Sequence, residues 1–208
     1  MSRILDISPV IGPGVAVWPG DTPLSWEWAG RRSRGDVANV GRLGLSPHSG
    51  AHVDAPLHLA DDGADVAALP LEVFWGPARV VEWPGGRAID AAALAGKRWE
   101  GVVRALFRTR GAGEPLAYRA GYPALTPDGA AYLAGRGVRL VGVDTPSVDP
   151  FESPDLPAHR ALLGAGVAIL ECLELGAVAP GDYELVALPL RLAGADATPV
   201  RAALRPLA

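Results

Sequence analysis

Three of the chain's four histidines stand in one stretch of eleven residues, His48-Ser49-Gly50-Ala51-His52-Val53-Asp54-Ala55-Pro56-Leu57-His58, with an aspartate between the second and third. Neutral imidazole and carboxylate are the ligands that a borderline divalent cation such as zinc selects. The fourth histidine, His159, lies far downstream beside further carboxylates. A lone buried histidine is commonly a satisfied core residue, but that account does not explain three histidines and an aspartate in so short a run, which marks a candidate metal site. His48, His52, Asp54 and His58 are all even-numbered. An extended segment directs them to one side, whereas a helical turn brings His48 and His52 together as i and i+4. Pro47, Gly50 and Pro56 argue against a long regular helix, and the choice between the two conformations stays open.

One segment supplies ligands from one side only, so a hydrolytic site needs more. The second half of the chain offers Asp144-Thr145-Pro146-Ser147-Val148-Asp149 at the end of an apolar run, His159, and Glu171 inside Val167-Ala168-Ile169-Leu170-Glu171-Cys172-Leu173. A carboxylate in so apolar a strand is costly to bury as an unpaired ion, and metal coordination explains Glu171 economically. Glu174 falls on the opposite face if the strand continues and reads as a surface residue. The single cysteine, Cys172, reads as an inert core residue; the alternative is a nucleophile paired with a histidine.

The elements that must position these groups are punctuated by 26 glycines and 20 prolines. Short apolar runs between them predict strands at 79–83, 102–108, 138–144, 167–173 and 184–192. Several are apolar on both faces, which predicts a sheet covered by other layers. Thr126-Pro127-Asp128 is a helix start, with a hydroxyl N-cap and proline at the first helical position, and the helix stops at Gly135 or Gly137. A second short helix is predicted at about 157–163, carrying His159. The first fifty residues read as strands and loops, with Trp26 and Trp28 alternating around Glu27. The class is α/β, with more strand than helix.

The 208 residues suit a single domain, 1–208, with room for a substantial core. The formal charge of −4, without long runs of either sign, leaves no electrostatic footprint for nucleic acid or an anionic membrane and favours a small-molecule partner. One cysteine permits no intrachain disulfide. The N-terminal residues carry no long apolar core, and no apolar run approaches the ~18 residues of a membrane span, so the expectation is a soluble, cytoplasmic protein.

The run H-S-G-A-H-V-D-A-P-L-H resembles the signature of the metal-dependent cyclase-like hydrolase family, His-x-Gly-Thr-His-x-Asp-x-Pro-x-His. With Trp18-Pro19-Gly20-Asp21, Asp144-Thr145-Pro146-Ser147-Val148-Asp149 and Ile169-Leu170-Glu171, the order and spacing are similar to those of the bacterial kynurenine formamidase (arylformamidase) branch. Ala51 stands where that family usually has threonine, and Leu59 where phenylalanine is common. The resemblance implies a cyclase-like swivelling β/β/α fold with a barrel-like mixed sheet flanked by short helices. It also implies zinc, two ions per subunit, with manganese as the alternative. His48, His52 and Asp54 would hold one ion; Asp54 would bridge to a second that His159 holds, and Glu171 would contact both. His58 is left as the proton-transferring catalytic residue, and Trp18 lines the pocket against an aryl formamide, N-formyl-L-kynurenine. A homodimer or larger homo-oligomer is expected. The rival readings are hydrolysis of another small cyclic amide, imide, ester or lactone of the isatin type, and a metal-binding protein without turnover.

Overall fold

In a computed structural model, which describes residues 3–83 and 88–207 and so leaves Met1 and Ser2 of the N-terminal reading outside it, the apolar runs assemble into one curled, half-barrel sheet. The chain begins with β1 (Leu5–Asp6), an exposed hairpin of β2 (Ser25–Gly30) and β3 (Val40–Gly44), and β4 (His52–Asp54). There follow β5 (Trp75–Glu82), β6 (Ala88–Ile89), α1 (Ala91–Ala95), β7 (Arg104–Arg108), β8 (Ala124–Leu125), α2 (Pro127–Gly135) and β9 (Leu140–Val143). The last elements are α3 (Pro157–Gly164), β10 (Ala168–Glu171), β11 (Gly181–Val186), β12 (Ala197–Pro199) and β13 (Ala203–Pro206). Nine strands form the main sheet in the order β1-β13-β11-β5-β7-β9-β10-β4-β12. Its centre, β5-β7-β9-β10, is parallel, and antiparallel strands extend it on both sides. This is the α/β, barrel-like mixed sheet expected.

Both faces are buried, which is why the central strands lack the polar alternation of a half-exposed sheet. On one face Val81, Phe107, Val141 and Ile169 pack with Leu94 of α1, Leu133 of α2 and Leu162 of α3. On the other, Val80, Leu106, Leu140 and Leu170 pack with Val53, Phe74 and Leu185. Each such side chain contributes roughly 1.5–3 kcal/mol of burial. Among the described residues, no helix is long and apolar enough to cross a membrane.

The helix start read at residue 126 is made as expected: Thr126 Oγ1 accepts from Gly129 N at 3.2 Å, and Gly137, with φ +84°, ends the turn beyond the helix. One strand expectation fails. The run 184–192 is a strand only to Val186, where its pairing with Trp75 and Ala203 ends. Pro189 offers no N–H for a ladder, and Leu188, Leu190 and Leu192 stand on the surface.

Gly129 sits where α2 presses on the backbone of residue 89; a Cβ there would lie 2.1 Å from the Ile89 carbonyl oxygen. Gly→Ala inside a helix ordinarily stabilises by about 1 kcal/mol. At this position the sign reverses. Gly129→Ala is expected to lower the unfolding free energy by about 1–3 kcal/mol, read as a lower urea midpoint at unchanged slope.

Candidate metal centre

The register of β4 decides which face carries the chemistry. His52 lies opposite Glu171 and Asp54 opposite Ile169. Paired residues project to the same face, and Ile169 belongs to the helix-covered core, so His52, Asp54 and Glu171 point toward the helices while Val53 points away. His48 reaches the same place from the turn before Gly50, whose φ is +66°. His58 comes from a short 3-10 turn, Pro56–His58. The extended reading of the histidine segment thus holds for His52 and Asp54 only.

His159 arrives on α3, which begins unusually. Leu156 takes a left-handed conformation (φ 44°) and supplies no side-chain cap. Asp149 caps the helix from outside instead, accepting from Ala158 N at 2.8 Å and His159 N at 2.9 Å, and also from the His159 ring at Nδ1, 2.7 Å away. Orphan helix donors and the imidazole are satisfied by one buried carboxylate.

The structure brings His48, His52, Asp54, His159 and Glu171 into one cluster. Asp54 Oδ1 lies 3.1 Å from His48 Nδ1 and 3.6 Å from His52 Nε2, and Asp54 Oδ2 lies 3.4 Å from His159 Nε2. Glu171 spans the same two sides: Oε2 is 3.4 Å from His52 Nε2, and Oε1 is 3.3 Å from His159 Nε2 while accepting from Val148 N at 2.7 Å. Two sets of potential ligand atoms, His48/His52/Asp54 and Asp54/His159/Glu171, share Asp54, and within each set the atoms lie no more than 4.8 Å apart. The far ring nitrogens are anchored: His52 Nδ1 donates to Gly50 O at 2.8 Å, His159 Nδ1 to Asp149, and His48 Nε2 to Asp196 at 3.0 Å. In its neutral form each imidazole therefore turns its unprotonated nitrogen inward, the arrangement that outer hydrogen bonds impose on metal ligands.

Asp54 supplies the test of fit. It is buried, and neither of its oxygens has a hydrogen-bond partner. An ionised carboxylate so placed is strongly penalised unless a cation lies beside it, and the all-N/O donor set suits a divalent metal. The electrostatics of the metal-free cluster agree. Burial opposes charge on His52 and His159, but the Asp54 carboxylate at the first and Glu171 at the second outweigh it, holding both imidazoles well above the ordinary value. Burial likewise opposes ionisation of Asp54, and the rings of His159 and His48 overcome it, holding the carboxyl well below the usual range.

His58 lies beside this cluster, its ring centroid 4.5 Å from that of His48 and 5.8 Å from that of His159. All four histidines and Glu171 line a cavity of about 770 Å³. Trp18 forms part of its wall, 4.9 Å from Phe151 and 6.1 Å from Tyr118 between ring centroids. The lining residues described include Asp21 and Glu152 but no lysine or arginine. Cys172 is fully buried at the end of β10, with its sulfur 3.6 Å from the Tyr118 hydroxyl. Glu174 is partly exposed, 3.5 Å from Arg110.

Sequence reasoning missed Asp196, which links His48 and His58, and the orienting part played by Asp149 on His159. For Asp196 one signal existed: it is the only acidic residue after Glu184. Phe151 and Tyr118 come from loops whose fold carries no local pattern.

Fold and site together define the class of cyclase-like metal-dependent hydrolases. Within it, the chain belongs to the Putative cyclase family, whose sequence profile matches residues 5–150. It is similar over 98% of both chains to a structure described as a potential metal-dependent hydrolase with cyclase activity, at 29% identity and a TM-score of 0.85. A predicted metal-dependent hydrolase from Bacillus stearothermophilus gives 29% identity, 98% of both chains and 0.84. Isatin hydrolase A from Labrenzia aggregata, bound to benzyl benzoate, gives 26% identity over 97% of this chain and 93% of its own, with a TM-score of 0.81.

The pKa directions set the pH response of the metal-free protein. Raised imidazoles contribute stability that is complete below about pH 6.5, the unfolded value, and is lost as pH rises through their folded values. The lowered Asp54 contributes above about pH 4 and loses it on acidification. Chelated protein should therefore be most stable between about pH 4 and 6.5, seen as a maximum in urea midpoint. Added divalent metal should displace the imidazole protons and move that maximum to higher pH. A flat profile that metal leaves unmoved would contradict the cluster's electrostatics.

Proposed function

We propose that the protein hydrolyses N-formyl-L-kynurenine to L-kynurenine and formate, with His58 transferring the proton. One observation carries this reading: a cluster of imidazoles and two buried carboxylates opens directly onto a cavity walled by Trp18, Phe151 and Tyr118. The order and spacing of the sequence motifs support the same substrate. In this reading His48, His52 and Asp54 hold one zinc or manganese ion, and Asp54, His159 and Glu171 hold a second. Bound there, a divalent cation supplies the positive charge that acidifies water and polarises a carbonyl.

The chain's own groups account for the rest. Trp18 offers a flat apolar surface to the aryl ring and fixes the formamide over the cluster. His58, anchored at Nδ1 by Asp196 at 3.1 Å, keeps Nε2 for the water that adds to the formyl carbon. The C–N bond then breaks, and the aniline nitrogen departs with the proton that His58 returns to it. Asp21 and Glu152 suit the substrate's α-ammonium, leaving its carboxylate toward solvent.

A second reading has one specific support, the likeness to an isatin hydrolase at 26% identity. Isatin is also an N-aryl amide, and its opening likewise releases an aniline nitrogen. The apolar surface around Trp26, Leu43, Leu190 and Leu192 supports the expected homo-oligomer. The two cores on opposite faces of one sheet support a single domain.

The test is hydrolysis of N-formyl-L-kynurenine and of isatin by purified protein, before and after chelation and with zinc or manganese restored. Turnover that is faster on the formamide, vanishes on chelation and returns with metal is expected. A higher kcat/KM for isatin would select the second reading, and failure to bind metal would end both. His58→Ala is expected to lower kcat about 10²–10⁴-fold with metal content unchanged. Trp18→Ala should act mainly on KM.

A further inference from the structure

Asp196 lies outside every motif described above, yet it touches both halves of the site. Its Oδ2 is 3.0 Å from His48 Nε2 and 3.1 Å from His58 Nδ1. The placement is built into the backbone. Asp196 immediately precedes β12, whose Ala197 pairs opposite Asp54, and the Asp196 carbonyl accepts from Ala55 N at 2.8 Å. The carboxylate is thereby tied at both ends to the segment that carries the histidines.

An ionised carboxylate only accepts, so each ring nitrogen facing Asp196 must carry the proton. In the neutral rings that leaves His58 Nε2 unprotonated on the cavity side, and His48 Nδ1 free to bind a cation in place of the proton it would otherwise share with Asp54. We propose that Asp196 is a positioning residue that fixes His58 in the tautomer with hydrogen on Nδ1 and, through the same oxygen, holds His48 in its inward orientation. The inference rests on the hydrolytic reading above, for it gives His58 the proton transfer. In that transfer the water proton goes to His58 Nε2 and from there to the departing nitrogen. The Nδ1 proton stays between His58 and Asp196, and Asp196 remains a carboxylate throughout, as a base-orienting aspartate does in hydrolytic triads. Without it the ring is free to rotate or to carry its proton on Nε2, where it no longer accepts from water.

The geometry separates this role from a merely structural one. Asp196 is about two-fifths exposed at its side chain and is not part of either apolar core. It lies 138 residues from His58 in sequence and ties the segment leading into β12 to the histidine segment.

The experiment compares Asp196→Asn and Asp196→Glu, each alone and combined with His58→Ala, in metal-saturated protein with N-formyl-L-kynurenine and isatin as probes. Asp196→Asn should lower kcat about 10²–10⁴-fold while KM changes by less than about threefold, and Asp196→Glu should recover part of the loss. In the His58→Ala background Asp196→Asn should cost far less kcat than in the native background, since only its hold on His48 is left to lose. A loss of equal size in both backgrounds overturns the proposal. Nitrogen-15 spectra of the imidazoles need no turnover: the native protein should show His58 protonated on Nδ1, and Asp196→Asn should shift that population toward Nε2. Native His58 protonated on Nε2 overturns the proposal, as does equilibrium dialysis in which Asp196→Asn weakens zinc binding by far more than the roughly 10–100-fold that loss of an orienting hydrogen bond costs, which would make Asp196 a ligand. If neither probe is hydrolysed, the hydrolytic reading fails for these substrates, while the spectra still decide the tautomer.

Discussion

The structure turns on Asp54, a carboxylate buried in the middle of a sheet with no hydrogen bond to either oxygen. Elsewhere in the protein the buried carboxylates are conventionally satisfied. Asp144 accepts from Thr109 N and Oγ1 and from Arg110 N, and Asp149 from two helix donors and a ring nitrogen. Asp54 instead faces three imidazole nitrogens at 3.1, 3.4 and 3.6 Å, none of which makes a hydrogen bond to it. Leaving such an ion unpaired costs several kcal/mol. In the metal-free protein the charged rings of His159 and His48 offset that cost, and a cation held by the same atoms would take over their part.

From that constraint the rest of the arrangement follows. β4 must be an interior strand, held on one side by β10 and on the other by β12, so that Asp54 is placed by ladders rather than by a loop. β10 must end in an acid directly opposite His52. α3 must approach end-on, and Asp149 both starts that helix and turns the His159 ring. Each inward nitrogen is set by an anchor outside the cluster, namely Gly50 O, Asp149 or Asp196. The ligand geometry is thus carried by backbone register and by one layer of outer acceptors, which is how precise sites are held in rigid scaffolds.

Much of this was legible in the sequence because it is encoded in residue type and short spacing. Three imidazoles and an acid in eleven residues have few inert explanations, and Glu171 announced itself as a charge in an apolar strand. The helix at Thr126-Pro127 was legible through its cap, which is local chemistry. What failed was long-range or ambiguous. The even-numbered spacing left an extended segment and a helical turn both open; Gly50 at positive φ and the turn at Pro56 confine the extended part to His52–Asp54, and His48 and His58 reach the cavity from either end. The run 184–192 alternates like a strand, yet beyond Val186 no neighbour is available to pair with it. Trp26 and Trp28 keep the alternation of a strand while remaining exposed on the β2–β3 hairpin. Asp196 has no local pattern at all, because its meaning lies in a contact made across most of the chain.

The division between strands and loops also bears on specificity. The cluster's carboxylates Asp54 and Glu171 and its ring His52 stand on paired strands, and His159 on a capped helix. Trp18, Tyr118 and Phe151 stand on connecting segments. A change in a loop can therefore reshape the aromatic wall without disturbing Asp54, whereas a shift in the register of β4 would turn Asp54 into the opposite core and destroy the site. Relatives at 26–29% identity that keep the fold over nearly their full length fit this separation. The cluster of carboxylates and imidazoles is fixed by the sheet and its capped helix, and the choice of substrate falls to the loops that face it.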